Sequence, residues 1–201
     1  ISNPIDFLAI GLNYKAHIEG SKSKLPTEPI VFNKSSGCIQ GPNDKIKKPK
    51  FSKKMDYECE VAMVVGREGK YIQEDKAQDY IFGYCIVNDI SERSWQKERG
   101  GQWIKGKSIA GPCGPWLVTK DEIEDLNIIS LTLDVNGKRR QKGNTEKMIF
   151  NFNFLISHIS QFMTLYPGTI ITSGTPAGTA MEMENPEFLK AGDKLHLKVE
   201  G

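Results

Sequence analysis

Residues 81–87 read Ile-Phe-Gly-Tyr-Cys-Ile-Val and stop at Asn88-Asp89. An unbroken apolar run of this length is a strand buried on both faces, so it must lie inside a sheet that is covered above and below. The rest of the chain has to supply those layers. Further strands are expected at residues 6–12, 30–33, 57–65, 115–119, 131–135, 169–173 and 195–199, and Asn136-Gly137 marks a hairpin turn. Helical segments are fewer: a turn after Asn13-Tyr14, residues 73–80, residues 91–99 closed by Gly100-Gly101, and one long amphipathic stretch at 152–165 stopped by Pro167-Gly168. Strands and helices do not alternate regularly. The expectation is a β-rich α+β fold, a mixed sandwich or roll with a few short helices, in one domain over residues 1–201.

Composition removes several classes of function. The chain carries 27 basic and 25 acidic residues, a net charge of +2, and no nucleic-acid partner is expected from so even a balance. The basic stretch at residues 45–54 reads as a solvated edge. No run reaches the roughly 18 apolar residues of a membrane span, and residues 1–10 lack the basic start of a signal peptide. The four cysteines are scattered, with Cys59 and Cys85 inside apolar segments, as expected of reduced thiols in a cytoplasmic protein. A first residue other than Met and an end within a strand suggest that a few flanking residues are missing.

One motif is a decoy. Gly101, Gly106, Lys107 and Ser108 satisfy the phosphate-binding pattern G-x-x-x-x-G-K-S letter for letter. That loop works only between a strand and a helix. Here a polar helical segment precedes it, and Gly111-Pro112-Cys113-Gly114-Pro115 follows, which cannot continue as a helix.

Glu58 and Glu60 carry more information. In a strand, residues two apart share a face about 7 Å from one another. The pair either lines a solvated face or converges on one cation, and Ala62 and Val64 further along that face place the acids near a buried boundary. Asp89, at the end of the buried strand, either caps a helix through Asp89-Ile90-Ser91-Glu92 or joins the pair. Three carboxylates without a cysteine or histidine cluster suit a hard ion: Mg²⁺, or else Mn²⁺ or Ca²⁺. Of the three histidines, His158 and His196 read as structural, whereas His17 sits in a turn beside an expected loop at residues 19–29.

Taken in order, these segments resemble the fumarylacetoacetate hydrolase family in its short, single-domain form. The marks are Gly11-Leu12-Asn13-Tyr14-Lys15-Ala16-His17, Glu28 through Lys34, Tyr57-Glu58-Cys59-Glu60, Gly83-Tyr84 through Arg93, Lys105 through Ser108, and Thr172 through Gly178. The resemblance implies a metal triad of Glu58, Glu60 and Asp89. It places Lys107 beside the metal and Lys34, Arg93, Gln96 and Thr175 at substrate-contacting positions. It also implies a homodimer and a small-molecule 2-oxo acid or diketo acid as substrate. The reactions implied are acylpyruvate-type C–C hydrolysis, 2-hydroxyhepta-2,4-diene-1,7-dioate-type isomerisation, or oxaloacetate-type decarboxylation. His17 would be the general base. Hydrolytic members pair that histidine with a glutamate three residues later, where this chain has Gly20; Glu19 is the expected substitute. A relative that binds metal and 2-oxo acid without turnover is the competing reading.

Overall fold

The computed structural model describes residues 4–98 and 103–200. The first half runs β1 (Phe7–Gly11), α1 (Lys15–Gly20), β2 (Ile30–Lys34), β3 (Ile39–Gln40), β4 (Met55–Asp56), β5 (Cys59–Val65), β6 (Ile81–Asn88) and β7 (Ser91–Glu92). The second half runs α2 (Trp103–Lys107), β8 (Gly111–Pro112), β9 (Val118–Thr119), β10 (Ser130–Val135), β11 (Lys138–Asn144), α3 (Phe152–Phe162), β12 (Ile170–Thr172) and β13 (Leu195–Glu200). The main sheet has the order β2-β1-β12-β5-β6-β9, with β1 parallel to β12 and its other pairings antiparallel. A second sheet, β11-β10-β13, and two short ribbons, β3-β8 and β4-β7, complete the β-rich α+β architecture.

Every residue of β5 is buried. Val61, Met63 and Val65 pack with Phe152, Leu155, Ile156 and Ile159 of α3, while Ala62 and Val64 pack with Phe7, Val87 and Ile170 on the opposite face. No solvated face exists on this strand, so that reading of Glu58 and Glu60 fails. A third cluster joins β10 to the start of β5 through Leu131, Leu133, Tyr57 and Cys59. The Asn136-Gly137 turn forms as expected, both residues adopting positive φ (52° and 79°).

Tertiary pairing overrides local pattern in two places. Residues 74–80 form 3₁₀ turns rather than an α-helix. The expected helix at 91–99 begins as β7, paired to β4, and continues as a single π-helical turn at Ser94–Glu98; Gly100 and Gly101 lie outside the described residues. Asp89 therefore caps no helix. Glu92 does the local work instead, accepting from Lys54 N (3.0 Å) and Ser94 N (3.1 Å). Lys107 lies in the last turn of α2 and is buried, which confirms that the phosphate-loop match is accidental. Among the described residues, no helix is long and apolar enough to cross a membrane.

Asn13 ties the ends of the chain together. Its Nδ2 donates to Phe150 O (3.0 Å) and Ser173 O (2.8 Å), and its Oδ1 accepts from Phe150 N (2.9 Å), all with the residue fully buried. Replacing it by Ala strands three backbone groups, and Asn13→Ala should lower unfolding free energy by about 3 kcal/mol. Urea denaturation checks this; a loss under about 1 kcal/mol would show that water replaces the amide.

Candidate active site

Strand pairing brings the acids together. Cys59 lies opposite Asn88 and Glu60 opposite Val87, so the start of β5 and the end of β6 share one edge. Asp89 N donates to Glu58 O (2.9 Å), and Glu58 N donates to Asn88 Oδ1 (3.1 Å). One carboxylate oxygen from each of Glu58, Glu60 and Asp89 lies within 4.8 Å of the other two, and all three residues are buried.

Three cations meet this cluster unevenly. Lys107 Nζ donates to Glu58 Oε2 (2.5 Å) and Asp89 Oδ2 (2.9 Å). Lys34 Nζ donates to Asp89 Oδ1 (2.5 Å) and to the Lys107 carbonyl. Arg93 reaches Glu58 Oε1 through Nη2 (2.7 Å), Asp56 Oδ2 through Nε (2.9 Å) and Gln96 Oε1 through Nη1 (3.1 Å). Burial alone would raise the Glu58 carboxyl, yet Arg93 and then Lys107 outweigh it and hold that group well below the usual range. Glu60 goes the other way. Burial, reinforced by the charges of Asp89 and Glu58, pushes its carboxyl well above 4.5.

Glu60 Oε2 is buried without a hydrogen-bond partner, as are Thr172 Oγ1 and Tyr14 OH. A buried carboxyl oxygen lacking a donor is costly. A hard divalent cation would satisfy it, and a set of three carboxylates is the donor chemistry such an ion takes. The residues fit a metal.

Across the same small cleft, about 70 Å³, stands His17. Its Nδ1 is hydrogen-bonded to Oε1 of Glu182, both side chains being nearly inaccessible at 7%. Glu182 closes the turn Ala180–Glu182, and its other oxygen accepts from Gly178 N. Gly178 has φ +107°, and a Cβ there would fall 2.0 Å from Arg140 O, so only glycine can present this N–H. A Cβ on Gly20 would lie 3.1 Å from Glu182 Cδ and 3.2 Å from Cγ. The absent side chain at position 20 leaves the space that Glu182 enters.

Residues 6–201 match the family described as fumarylacetoacetate (FAA) hydrolase C-terminal. The chain belongs to this family. A Burkholderia lata protein provisionally named a hydrolase is 50% identical over 198 residues, which is 97% of this chain and 70% of that protein. The structure of 5-carboxymethyl-2-hydroxymuconate delta-isomerase from Mycobacterium smegmatis superposes with a TM-score of 0.85 at 35% identity, covering 98% of this chain and 74% of that one. Fumarylacetoacetate hydrolase from the psychrophilic Exiguobacterium antarcticum gives 0.88 at 34% identity, covering 98% and 72%. The fumarylacetoacetate hydrolase fold thus hosts both hydrolases and isomerases among the relatives of this chain.

Two expected site residues are placed differently within this fold. Glu19 is exposed, and the partner of His17 is Glu182, 165 residues away in sequence. The helical register of α1 turns position 19 outward, whereas position 20 faces the histidine's neighbourhood. Lys34 is fully buried, donates to Asp89 and does not line the cleft, which places it where it orients a carboxylate. Arg93, Gln96, Lys107 and Thr175 do line the cleft. The Thr175 hydroxyl is engaged: it accepts from Gln141 Nε2 (2.8 Å) and donates to Cys59 O (3.1 Å), tying the glycine-rich turn to β5. Sequence reasoning missed Glu182 and Asp56. The one available signal for Glu182 was a carboxylate just after a glycine-rich turn, flanked by Met181 and Met183.

Lys34→Met should weaken divalent-cation binding at the acid cluster by about tenfold, the usual effect of removing a group that orients a ligand. Isothermal titration checks this, and unchanged affinity would show that Asp89 needs no help.

Proposed function

We propose that the chain is a divalent-cation-dependent enzyme that cleaves a C–C bond in acylpyruvate-like diketo acids. The observation that carries this reading is one cleft lined by Glu58 and Glu60 of the acid cluster together with His17, whose Nδ1 is held by Glu182. Glu58, Glu60 and Asp89 would hold the ion, Mg²⁺ in preference to Mn²⁺ or Ca²⁺. A cation bound there supplies positive charge against the negative charge that develops on the substrate's keto oxygen.

The chain's own groups do the rest. Lys107 adds a fixed positive charge beside the acids. Gln96 accepts from Arg93 through its oxygen, which leaves its amide nitrogen as a donor for the substrate carboxylate. Glu182 holds the proton on His17 Nδ1, so Nε2 keeps the lone pair and faces water as a base. His17 takes a proton from the water that attacks the acyl carbonyl. The C–C bond then breaks, its electron pair passes to the keto oxygen of the pyruvate half, and the imidazolium returns the proton to the carbon.

The same groups could move a proton between carbons of a 2-hydroxydienoate, and the similarity to 5-carboxymethyl-2-hydroxymuconate delta-isomerase favours this second reading. Water labelled with ¹⁸O separates the two: hydrolysis places the label in the released acid, and isomerisation does not.

Calorimetry tests the core of the proposal. Oxalate, which mimics an enolate, should bind only after Mg²⁺, and Glu58→Gln and Asp89→Asn should each weaken both steps at least about tenfold. Oxalate binding equally well to these variants would refute the site.

A further inference from the structure

A second reactive pair lies outside the cleft. Cys85, in β6, and Cys113, directly after β8, hold their sulfurs 3.3 Å apart. Backbone bonds fix both sides: Cys113 bridges Val87, Cys113 N donates to Gln40 O (3.0 Å), and Gly114 N donates to Ile86 O (2.9 Å). The two thiols therefore face each other on anchored segments, a short movement from bonding distance. Both are reduced, as are the buried Cys38 and Cys59.

The pair is asymmetric. Cys113 is half-buried, whereas Cys85 is 7% exposed. Cys85 also lines an apolar cavity of about 210 Å³ that it shares with the exposed Trp116, so a small molecule can approach the pair from the Cys85 side, while the half-buried Cys113 is reached from its own partly open side. The hydrogen bond from Cys85 lowers the Cys113 thiol below its ordinary range and raises that of Cys85. One sulfur is thus favoured as thiolate, and the other stands ready beside it as a thiol.

We propose that Cys113 and Cys85 form a peroxide-reactive dithiol, with Cys113 as the attacking sulfur and Cys85 as the resolving one. The Cys113 thiolate attacks the terminal oxygen of a hydroperoxide; an S–O bond forms, the O–O bond breaks, and the leaving alkoxide or hydroxide takes from solvent the proton that the Cys113 thiol had released, departing as alcohol or water. The Cys85 sulfur then attacks Cys113, the S–O bond breaks, and water departs with the Cys85 proton. Two thiols lose two electrons and two protons, and the hydroperoxide is reduced by the same amount. Nothing in this chemistry draws on the acid cluster or on His17.

The test is peptide mass spectrometry on the folded chain after exposure to hydrogen peroxide at neutral pH, with remaining thiols alkylated in denaturant. The expected product is a Cys85–Cys113 link approaching one per chain, reversed by dithiothreitol, with Cys38 and Cys59 still alkylated. Cys85→Ser should instead accumulate a sulfenic acid on Cys113 that dimedone traps. Cys113→Ser should slow oxidation of Cys85 at least about tenfold. Full alkylation of both cysteines after a dose that already oxidises methionines would overturn the proposal, as would a sulfinic acid on Cys113 without any link.

Discussion

Replacing Glu182 by Gln should lower turnover of an acylpyruvate about 10³-fold while leaving Mg²⁺ and oxalate affinity within about twofold. The carboxylate touches neither the acid cluster nor, through His17 Nδ1, the cleft side of the imidazole. In the proposed reaction it fixes the tautomer and stabilises the imidazolium formed when Nε2 takes a proton. An amide can hold the ring but offers no counter-charge, so the loss belongs in kcat, with KM little changed. Retention of wild-type kcat would remove Glu182 from the reaction.

Moving the carboxylate back onto α1 gives the complementary test. Gly20→Glu alone should crowd Glu182 and destabilise the fold, because even a Cβ at that position meets the Glu182 carboxyl carbon at 3.1 Å. Gly20→Glu combined with Glu182→Gly vacates that space and places a carboxylate one helical turn from His17. The double variant should recover much of the activity that Glu182→Gly loses. Two destabilising or inactivating changes would then combine into a working pair.

The acid cluster yields the second large effect, with opposite signs at neighbouring positions. In the absence of metal, Glu60→Gln should raise unfolding free energy at pH 8 by about 1–3 kcal/mol, and it should abolish stabilisation by Mg²⁺. The sign follows from proton counting. The folded Glu60 keeps its proton at pH values where the unfolded side chain, near 4.5, has lost it. Above 4.5 the folded state binds more protons, so stability falls as pH rises toward the raised value. Mg²⁺ displaces that proton; binding should therefore tighten with pH and release a proton, seen as a dependence of the calorimetric heat on buffer ionisation enthalpy. Glu58 behaves inversely. Its lowered carboxyl contributes stability above 4.5 that is lost as pH falls toward the folded value, and Glu58→Ala should cost about 3–5 kcal/mol because Arg93 and Lys107 remain buried without it. Thermal melts of both variants across pH, with and without Mg²⁺, check all of this. A metal-free Glu60→Gln less stable than wild type would show that the carboxylate is satisfied in some other way.

Much of the architecture was legible in the chain. The apolar run at residues 81–87 does form a strand inside the main sheet, but not one covered on both faces, since Phe82 is 53% exposed and Ile86 half-buried; β5, β10, α3 and the Asn136-Gly137 turn followed from period and turn chemistry. The acids of the site were legible too, because carboxylates are unusual inside an apolar strand and need an explanation. Contacts between distant segments were hidden. Nothing local to residues 91–92 announces a strand, since β7 exists only because β4 lies beside it. Lys34 looked like a ligand contact because its position resembles one, but only the packed structure shows it behind Asp89. Position 182 gave a weak signal for the same reason: its meaning depends on the space at position 20, which the order of residues does not display.

The parallel pairing of β1 with β12 has a consequence for synthesis. His17 leaves the ribosome 165 residues before Glu182, and the residues between them include every acid of the cluster. A nascent chain can stack β5 against β6 through local antiparallel pairing, but the sheet cannot seal until β12 slides between β1 and β5. Chains truncated before residue 170 should emerge as collapsed, incomplete sheets lacking the His17–Glu182 contact, and chaperones would meet them in that state.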